Sequence, residues 1–468
     1  MKARSHYGKV TDDLIALLTD IVGHKNVLTG DERENYAHDE TYKSKPVLPE
    51  VVVKPGDAVS VAKVLKLASE RNIPVTPRGG GTGLSGGAIP IYGGIGLSLE
   101  RMNRILEIDE DNFVATVEPG VTLADLYQAV EERGLYYPLY PGEKSATLGG
   151  NIATNAGGMR AVKYGVTRHF VLGLEAVLST GETIQTGGKF VKCSTGYDLT
   201  QLIIGSEGTL AVITRIMLRL ITPPGRREIL FIPFHKLYDA IRCVPDILKE
   251  RILPVGIEFM ERDIINMVEQ YTGKEIPLHD YEAFLMIIVE ADNEDDILRI
   301  SNRIGEVCLS NGAVDVFIPG NERAKRNLLE AREKFYPVIK HFGLLDIADV
   351  VVPRSRIAEF VEKIKEIASE CGIPIIAYGH AGDGNVHLHP MGQGIDKAEE
   401  KRKEVLAKIY ELGVSLGGTI SGEHGLGFVK KGYLHMVADK NKIALMKRIK
   451  WAFDPNNIMN PGKVLDLE

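Results

Sequence analysis

Two histidines in His380-Ala-Gly-Asp-Gly-Asn-Val-His387 and a later Ser421-Gly-Glu-His-Gly-Leu-Gly427 hold the side chains best suited to chemistry in this 468-residue chain. Seven positions apart on a helix, His380 and His387 would stand two turns, about 10 Å, from each other, too far to bind one ion. A strand–turn–strand with Gly382 and Gly384 in the turn brings the two imidazoles together. Adding Glu423 gives an N,N,O donor set with coordination positions left open, as metal-assisted catalysis requires. That set does not choose among Zn²⁺, Fe²⁺ and Mn²⁺. A lone histidine in a turn is ordinarily a hydrogen-bonded structural residue. The paired imidazoles with a later Glu-His in a glycine-flanked loop are a stronger signal. Asp383 and Asn385 read as outer residues that steady the turn and the ligand tautomers.

The second chemical feature is glycine. The loop Pro77-Arg-Gly-Gly-Gly-Thr-Gly-Leu-Ser-Gly-Gly87 lets backbone N–H groups surround a pyrophosphate without interference from Cβ atoms. Gly81-x-Gly83-x-x-Gly86 matches a nicotinamide-dinucleotide pattern, which has meaning only between a strand and a helix. Upstream the pattern holds: a strand over 51–54, a helix over 58–71 capped by Asp57, and a strand over 73–76. Downstream it fails, because Pro90 and Gly93-Gly94 forbid a helix and 95–99 reads as another strand. A second segment, Pro141-Gly-Glu-Lys-Ser-Ala-Thr-Leu-Gly-Gly-Asn-Ile-Ala-Thr-Asn-Ala-Gly-Gly158, is followed by Lys163-Tyr-Gly165 and offers hydrogen bonds from Thr147, Asn151, Thr154 and Asn155. A third, Gly196-Tyr-Asp-Leu and then Ile204-Gly-Ser-Glu-Gly-Thr-Leu-Ala-Val-Ile-Thr214, ends in a run typical of a buried strand. Structural turns would explain any one segment, but not all three in this order.

On these segments the chain resembles the FAD-binding domain of the vanillyl-alcohol oxidase and p-cresol methylhydroxylase superfamily. It is most similar to the branch of glycolate oxidase large subunits, D-lactate dehydrogenases and D-2-hydroxyglutarate dehydrogenases. The resemblance runs from about Pro46 to the C-terminus and includes Phe453-Asp-Pro-Asn-Asn-Ile-Met-Asn-Pro-Gly-Lys463. It implies an α+β protein with a p-cresol methylhydroxylase-type FAD-binding domain and a ferredoxin-like α+β cap (substrate) domain. It implies that Arg78, Gly79, Gly80, Gly81, Thr82, Gly83 and Leu84 wrap the FAD pyrophosphate. Pro141, Gly142, Ala146, Thr147, Gly149, Gly150, Asn151, Thr154, Asn155, Gly157, Gly158 and Gly165, with Glu207, Gly208 and Ile213, would line the rest of the cofactor. Asn460 would sit near the isoalloxazine. Residues 79–88 contain neither histidine nor cysteine, so the FAD is expected to be non-covalent.

By the same resemblance, His380, His387 and Glu423 match metal ligands and His424 matches the catalytic base. The implied reaction oxidises a (D)-2-hydroxy acid to the 2-oxo acid. The cation acidifies the hydroxyl, His424 takes its proton, and C2 delivers hydride to flavin N5. Arg332, in Leu328-Leu-Glu-Ala-Arg-Glu333, matches the arginine that binds substrate carboxylate, and its fork suits a bidentate grip. Its helical neighbours Leu328, Leu329, Phe335 and Tyr336 are not acidic, so no ordinary intrahelical ion pair is on offer. D-2-hydroxyglutarate dehydrogenases carry a threonine one turn later and a lysine further on for the distal carboxylate. Here Tyr336 holds the first position, Leu345-Asp-Ile-Ala-Asp349 has no lysine, and His389 stands in place of asparagine. A lactate- or glycolate-like monocarboxylate is therefore favoured as substrate, with an apolar or aromatic 2-hydroxy acid as the alternative. Two rival readings are an FAD-dependent transferase of the alkyl-glycerone-phosphate synthase type and a non-catalytic flavoprotein that relays electrons.

Elements must position these groups. Residues 1–45 read as a helical lead-in, 46–224 as the FAD-binding domain, 225–420 as the cap and 421–468 as a segment returning to the FAD domain. In the cap, strands over 228–234, 255–260, 284–290 and 314–318 alternate with helices over 236–250, 263–271 and 295–310, and helices over 322–335 and 356–370 follow. A composition of 44% hydrophobic and 25% charged residues is ordinary for a globular protein. Net charge −7 with interspersed signs offers no footprint for nucleic acid or an anionic membrane. Cys193, Cys243, Cys308 and Cys371 form no C-x-x-C, so electrons are expected to leave through the flavin alone. The expected acceptor is an electron-transferring flavoprotein or a separate iron–sulfur subunit. No apolar run approaches the ~18 residues of a membrane span, and residues 1–6 lack a signal-peptide core, so a cytoplasmic protein is expected.

Overall fold

Val51-Val-Val53 is buried at every residue, the pattern of a parallel strand covered on both faces. The computed structural model describes residues 7–277 and 280–467. It sets this strand, β2 (Val51–Val53), in a sheet with β1 (Val27–Leu28), β3 (Val75–Arg78) and β4 (Ile95–Ser98), in the order β1-β2-β4-β3. β2 and β3 both run parallel to β4. Helix Ala58–Glu70 makes the crossover. The Asp57 carboxylate accepts the Ser60 N–H as its N-cap, and Val61, Val64, Leu65 and Ala68 face the core. No helix follows β3; the glycine-rich segment runs as loop to β4, so it is not a nicotinamide-type turn.

A second sheet is antiparallel throughout. It contains β5 (Ile105–Asp109), β6 (Val114–Val117), β7 (Val171–Val177), β8 (Thr183–Gly187) and β9 (Val212–Arg219), in the order β5-β6-β9-β7-β8. The C-terminal segment docks along β3. Val75 N–H donates to Ile458 O and Asn460 N–H to Val75 O, each at 2.7 Å, with Ile458 and Met459 fully buried. These sheets, the described residues up to Ala156, Val166–Pro223 and the described residues from Glu423 onward make one compact body.

The second body comprises Gly157–Gly165 and Pro224–Gly422. Its sheet holds β10 (Arg226–Phe234), β11 (Gly256–Glu261), β12 (Ala283–Ala291), β13 (Ala348–Val351), β14 (Ile375–His380) and β15 (Asn385–Pro390). The order is β10-β12-β11-β14-β15-β13, all antiparallel. Helices Leu237–Lys249, Glu294–Ser310 and Ile357–Cys371 each bury one apolar face, such as Ala240, Ile241, Val244 and Ile247 of the first.

Three expectations need correction. The run 314–318 is not a strand; only isolated bridges link Phe234 to Ala313 and Phe231 to Phe317. Asp315 Oδ1 accepts its neighbour's Val316 N–H at 2.7 Å, a local bond that competes with a ladder. The helix expected over 322–335 stops at Glu333, and a new one spans Phe335–His341. Pro337 has no N–H to return to Glu333, so the helical bonding is interrupted at this point. Residues 157–165, read as flavin domain, pack in the second body, where Tyr164 Oη and Lys163 Nζ bond the Glu290 carboxylate at 2.5 and 3.1 Å. Among the described residues no helix is long and apolar enough to cross a membrane.

Candidate active site

Strand alternation decides which cap residues share a face. The register pairs Ile376 with His389, Tyr378 with His387 and His380 with Asn385, so all six side chains lie on one side of the β14–β15 hairpin. Adjacent strands extend the row: β11 sets Glu258 opposite His380, and β13 sets Asp349 opposite His387. Glu258, Asp349, His380, His387 and His389 are all buried. The Nε2 atoms of His380 and His387 face each other at 3.2 Å. Behind them, His380 Nδ1 lies 2.6 Å from Glu258 Oε1, and His387 Nδ1 lies 3.6 Å from Asp349 Oδ1. An ionised carboxylate only accepts, so in this contact His380 Nδ1 is the donor. Imidazole nitrogens converging on one point, with carboxylates behind them, are the donor chemistry of a divalent-metal site.

Arg332 covers this face from helix Glu322–Glu333. Its Nε and Nη2 both donate to Glu258 Oε2, at 2.9 and 2.7 Å. The guanidinium lies over the rings of Tyr378 (4.7 Å) and Phe335 (5.1 Å). Tyr378 stacks on His389 with centroids 5.1 Å apart, and Tyr336 lies 6.4 Å from His389. The expected bidentate grip on substrate therefore needs correction: two arms of the fork are engaged by Glu258, and Nη1 is the arm left. Burial pushes the Glu258 pKa up, but His380 and Arg332 outweigh it and hold the carboxyl below its usual range.

In the first body, the glycine-rich segments meet one another. Thr147 caps helix Leu148–Thr154, accepting the Gly150 N–H on Oγ1 at 3.4 Å. A Cβ on Gly79 would lie 2.2 Å from that same oxygen, so only glycine lets the two segments approach. Gly79→Ala is expected to destabilise the protein by about 1–3 kcal/mol and to lower the FAD retained on purification; an unchanged flavin-to-protein ratio and thermal midpoint would contradict this. Asn151 is buried, and its Nδ2 has no hydrogen-bond partner among the described residues. A buried donor left over by the protein fits a cofactor that supplies the acceptor. Asn460 Nδ2 donates to Gly87 O and Glu207 O at 2.9 and 2.8 Å, which fixes the end of the first loop.

Other expected cofactor residues have protein partners. Arg78 donates to the backbone oxygens of His38 (2.5 Å) and Asn35 (3.2 Å), bracing the lead-in rather than standing free for phosphate. Asn155 Oδ1 accepts the Arg168 N–H. The Glu207 carboxylate accepts two backbone amides, from Leu426 and Gly427. Gly157, Gly158 and Gly165 belong to the cap body. Glu423 and His424 open the C-terminal part of the first body, with His424 Nε2 3.9 Å from Glu423 Oε1. The chain enters them from Gly422, whose N–H donates to Asp349 Oδ2 in the cap at 2.9 Å.

Residues 49–187 match the family described as FAD binding domain, and residues 223–464 match FAD linked oxidases, C-terminal domain. The chain belongs to the FAD-linked oxidases. It is 41% identical over 467 residues to a D-lactate dehydrogenase of Anaerostipes hadrus, covering 98% of each chain. It is 39% identical over 462 residues to the glycolate oxidase subunit GlcD of Bacillus subtilis, covering 97% of each. The solved structure of p-cresol methylhydroxylase with substrate bound aligns over 98% of each chain with a TM-score of 0.81 at 17% identity, a likeness of fold. The protein is thus an FAD-linked oxidoreductase, and its architecture is the one the resemblance implied.

Glu258, Asp349 and Tyr378 were not singled out from sequence. Alternation through Tyr378 and His380, and through His387 and His389, was the available signal for one shared face.

Proposed function

We propose that this flavoprotein oxidises a (D)-2-hydroxy acid of lactate- or glycolate-like size to the 2-oxo acid, using a divalent cation held by His380, His387 and Glu423. The observation that carries the reading is the buried pair of Nε2 atoms 3.2 Å apart, each imidazole with a carboxylate behind it. Bound FAD supplies the hydride acceptor. A bound Zn²⁺, Fe²⁺ or Mn²⁺ lowers the pKa of the substrate hydroxyl.

The chain's own residues do the remaining work. Glu258 keeps the His380 proton on Nδ1, so that Nε2 stays a ligand. Arg332 Nη1 donates a charged hydrogen bond to the substrate carboxylate. His424 takes the hydroxyl proton as general base. Tyr336 and His389 present rings where D-2-hydroxyglutarate dehydrogenases carry threonine and asparagine, and residues 345–349 offer no lysine for a distal carboxylate. Relatives named as a D-lactate dehydrogenase and as a glycolate oxidase subunit support this substrate class. The second being a subunit supports electron delivery to a separate protein, an electron-transferring flavoprotein or an iron–sulfur subunit.

Anaerobic flavin reduction by D-lactate and glycolate tests the proposal. Chelation is expected to slow it at least about tenfold, and added Mn²⁺ or Zn²⁺ to restore it. An undiminished rate in protein shown by elemental analysis to be metal-free would overturn the metal assignment.

A further inference from the structure

The loop that carries His424 has almost no side chains with which to hold itself: Gly425-Leu-Gly427 follows directly. Yet it is tied down within the first body from two directions. Ser85, at the end of the glycine-rich first loop, donates its hydroxyl to His424 O (2.9 Å) and Gly425 O (3.0 Å). Glu207 grips the next two residues, with Oε1 accepting the Leu426 N–H and Oε2 the Gly427 N–H, both at 2.8 Å. The fit leaves no slack, since a Cβ on Gly427 would lie 1.7 Å from Ser85 O. Glu207 is 8% exposed and is itself held, its backbone oxygen accepting from Asn460 Nδ2 at 2.8 Å.

A buried carboxylate is costly unless its oxygens are satisfied, and here both are satisfied by backbone amides of one loop. Such a bond fixes main-chain position, and main-chain position sets where the His424 ring is presented. The Glu207 carboxylate is thus engaged by the protein itself.

We infer that Glu207 is a positioning residue for His424, acting through the backbone of residues 426 and 427. The inference rests on the proposal that His424 is the base. Glu207→Gln keeps the shape but sets an NH₂ group against one of the two amides. Misplacing a reacting group by about 1 Å costs on the order of 10²-fold. The expected result in FAD-loaded protein is a roughly 10- to 100-fold slower anaerobic flavin reduction by D-lactate, with FAD content unchanged.

A double-mutant cycle separates this role from a merely structural one. If Glu207 acts through His424, adding Glu207→Gln to His424→Ala costs less than about twofold further. Additive losses, or a wild-type rate in Glu207→Gln alone, overturn the inference. If His424→Ala alone leaves the rate unchanged, it is the general-base proposal that fails. Should Glu207→Gln fail to fold, Glu207→Asp, which keeps the charge but shortens the reach to the Leu426 and Gly427 amides, carries the same cycle; additivity there overturns the inference equally.

Discussion

His424→Ala is expected to lower the rate of anaerobic flavin reduction by about 10²–10⁴-fold, the usual contribution of a positioned general base. At 1.36 kcal/mol per tenfold change, this is about 3–5 kcal/mol of transition-state stabilisation. FAD content is expected to stay at its wild-type ratio. The first body holds residue 424 by its backbone carbonyl, which accepts from Ser85 at 2.9 Å, so truncating the ring leaves the loop anchored. Stopped-flow bleaching of the flavin by D-lactate reads the effect directly. A near-normal rate would remove His424 from the chemistry.

Glu258→Ala is expected to act on two observables at once. One carboxylate holds both Arg332 and His380, with 0% exposure. Removing it leaves a buried guanidinium uncompensated, which costs about 3–5 kcal/mol and is read as a lower urea midpoint. It also removes the acceptor that fixes the His380 tautomer, and metal affinity is expected to fall about 10- to 100-fold. A second variant separates the two effects. Glu258→Leu combined with Arg332→Leu replaces the pair with apolar groups and is expected to regain much of the stability without regaining the metal affinity. Wild-type metal affinity in Glu258→Ala would show that the carboxylate has no part in ligand orientation.

Local signals in the sequence were reliable where local forces decide. Asp57 with Val61, Val64, Leu65 and Ala68 announces its helix because cap and periodicity lie within thirteen residues. The hairpin joining His380 to His387 was legible for the same reason, since the turn glycines lie between them. Segment 314–318 looked like a strand because Val314, Val316, Phe317 and Ile318 favour one, while the Asp315 side-chain bond that interrupts it has no sequence signature. Glu258 was invisible as a partner because 74 residues separate it from Arg332 and 122 from His380; only sheet register brings them together. Glu207 was legible as important from Gly-Ser-Glu-Gly, but its role was not, because the amides it accepts come from 219 and 220 residues away.

The measurement that bears most directly on the imidazole pair is pulsed electron paramagnetic resonance of the Mn²⁺-loaded, FAD-replete protein. Two histidine nitrogens are expected to couple to the manganese, with one lost in His380→Ala and the other in His387→Ala. Bound manganese that shows no nitrogen coupling, or coupling that survives both substitutions, would contradict the account.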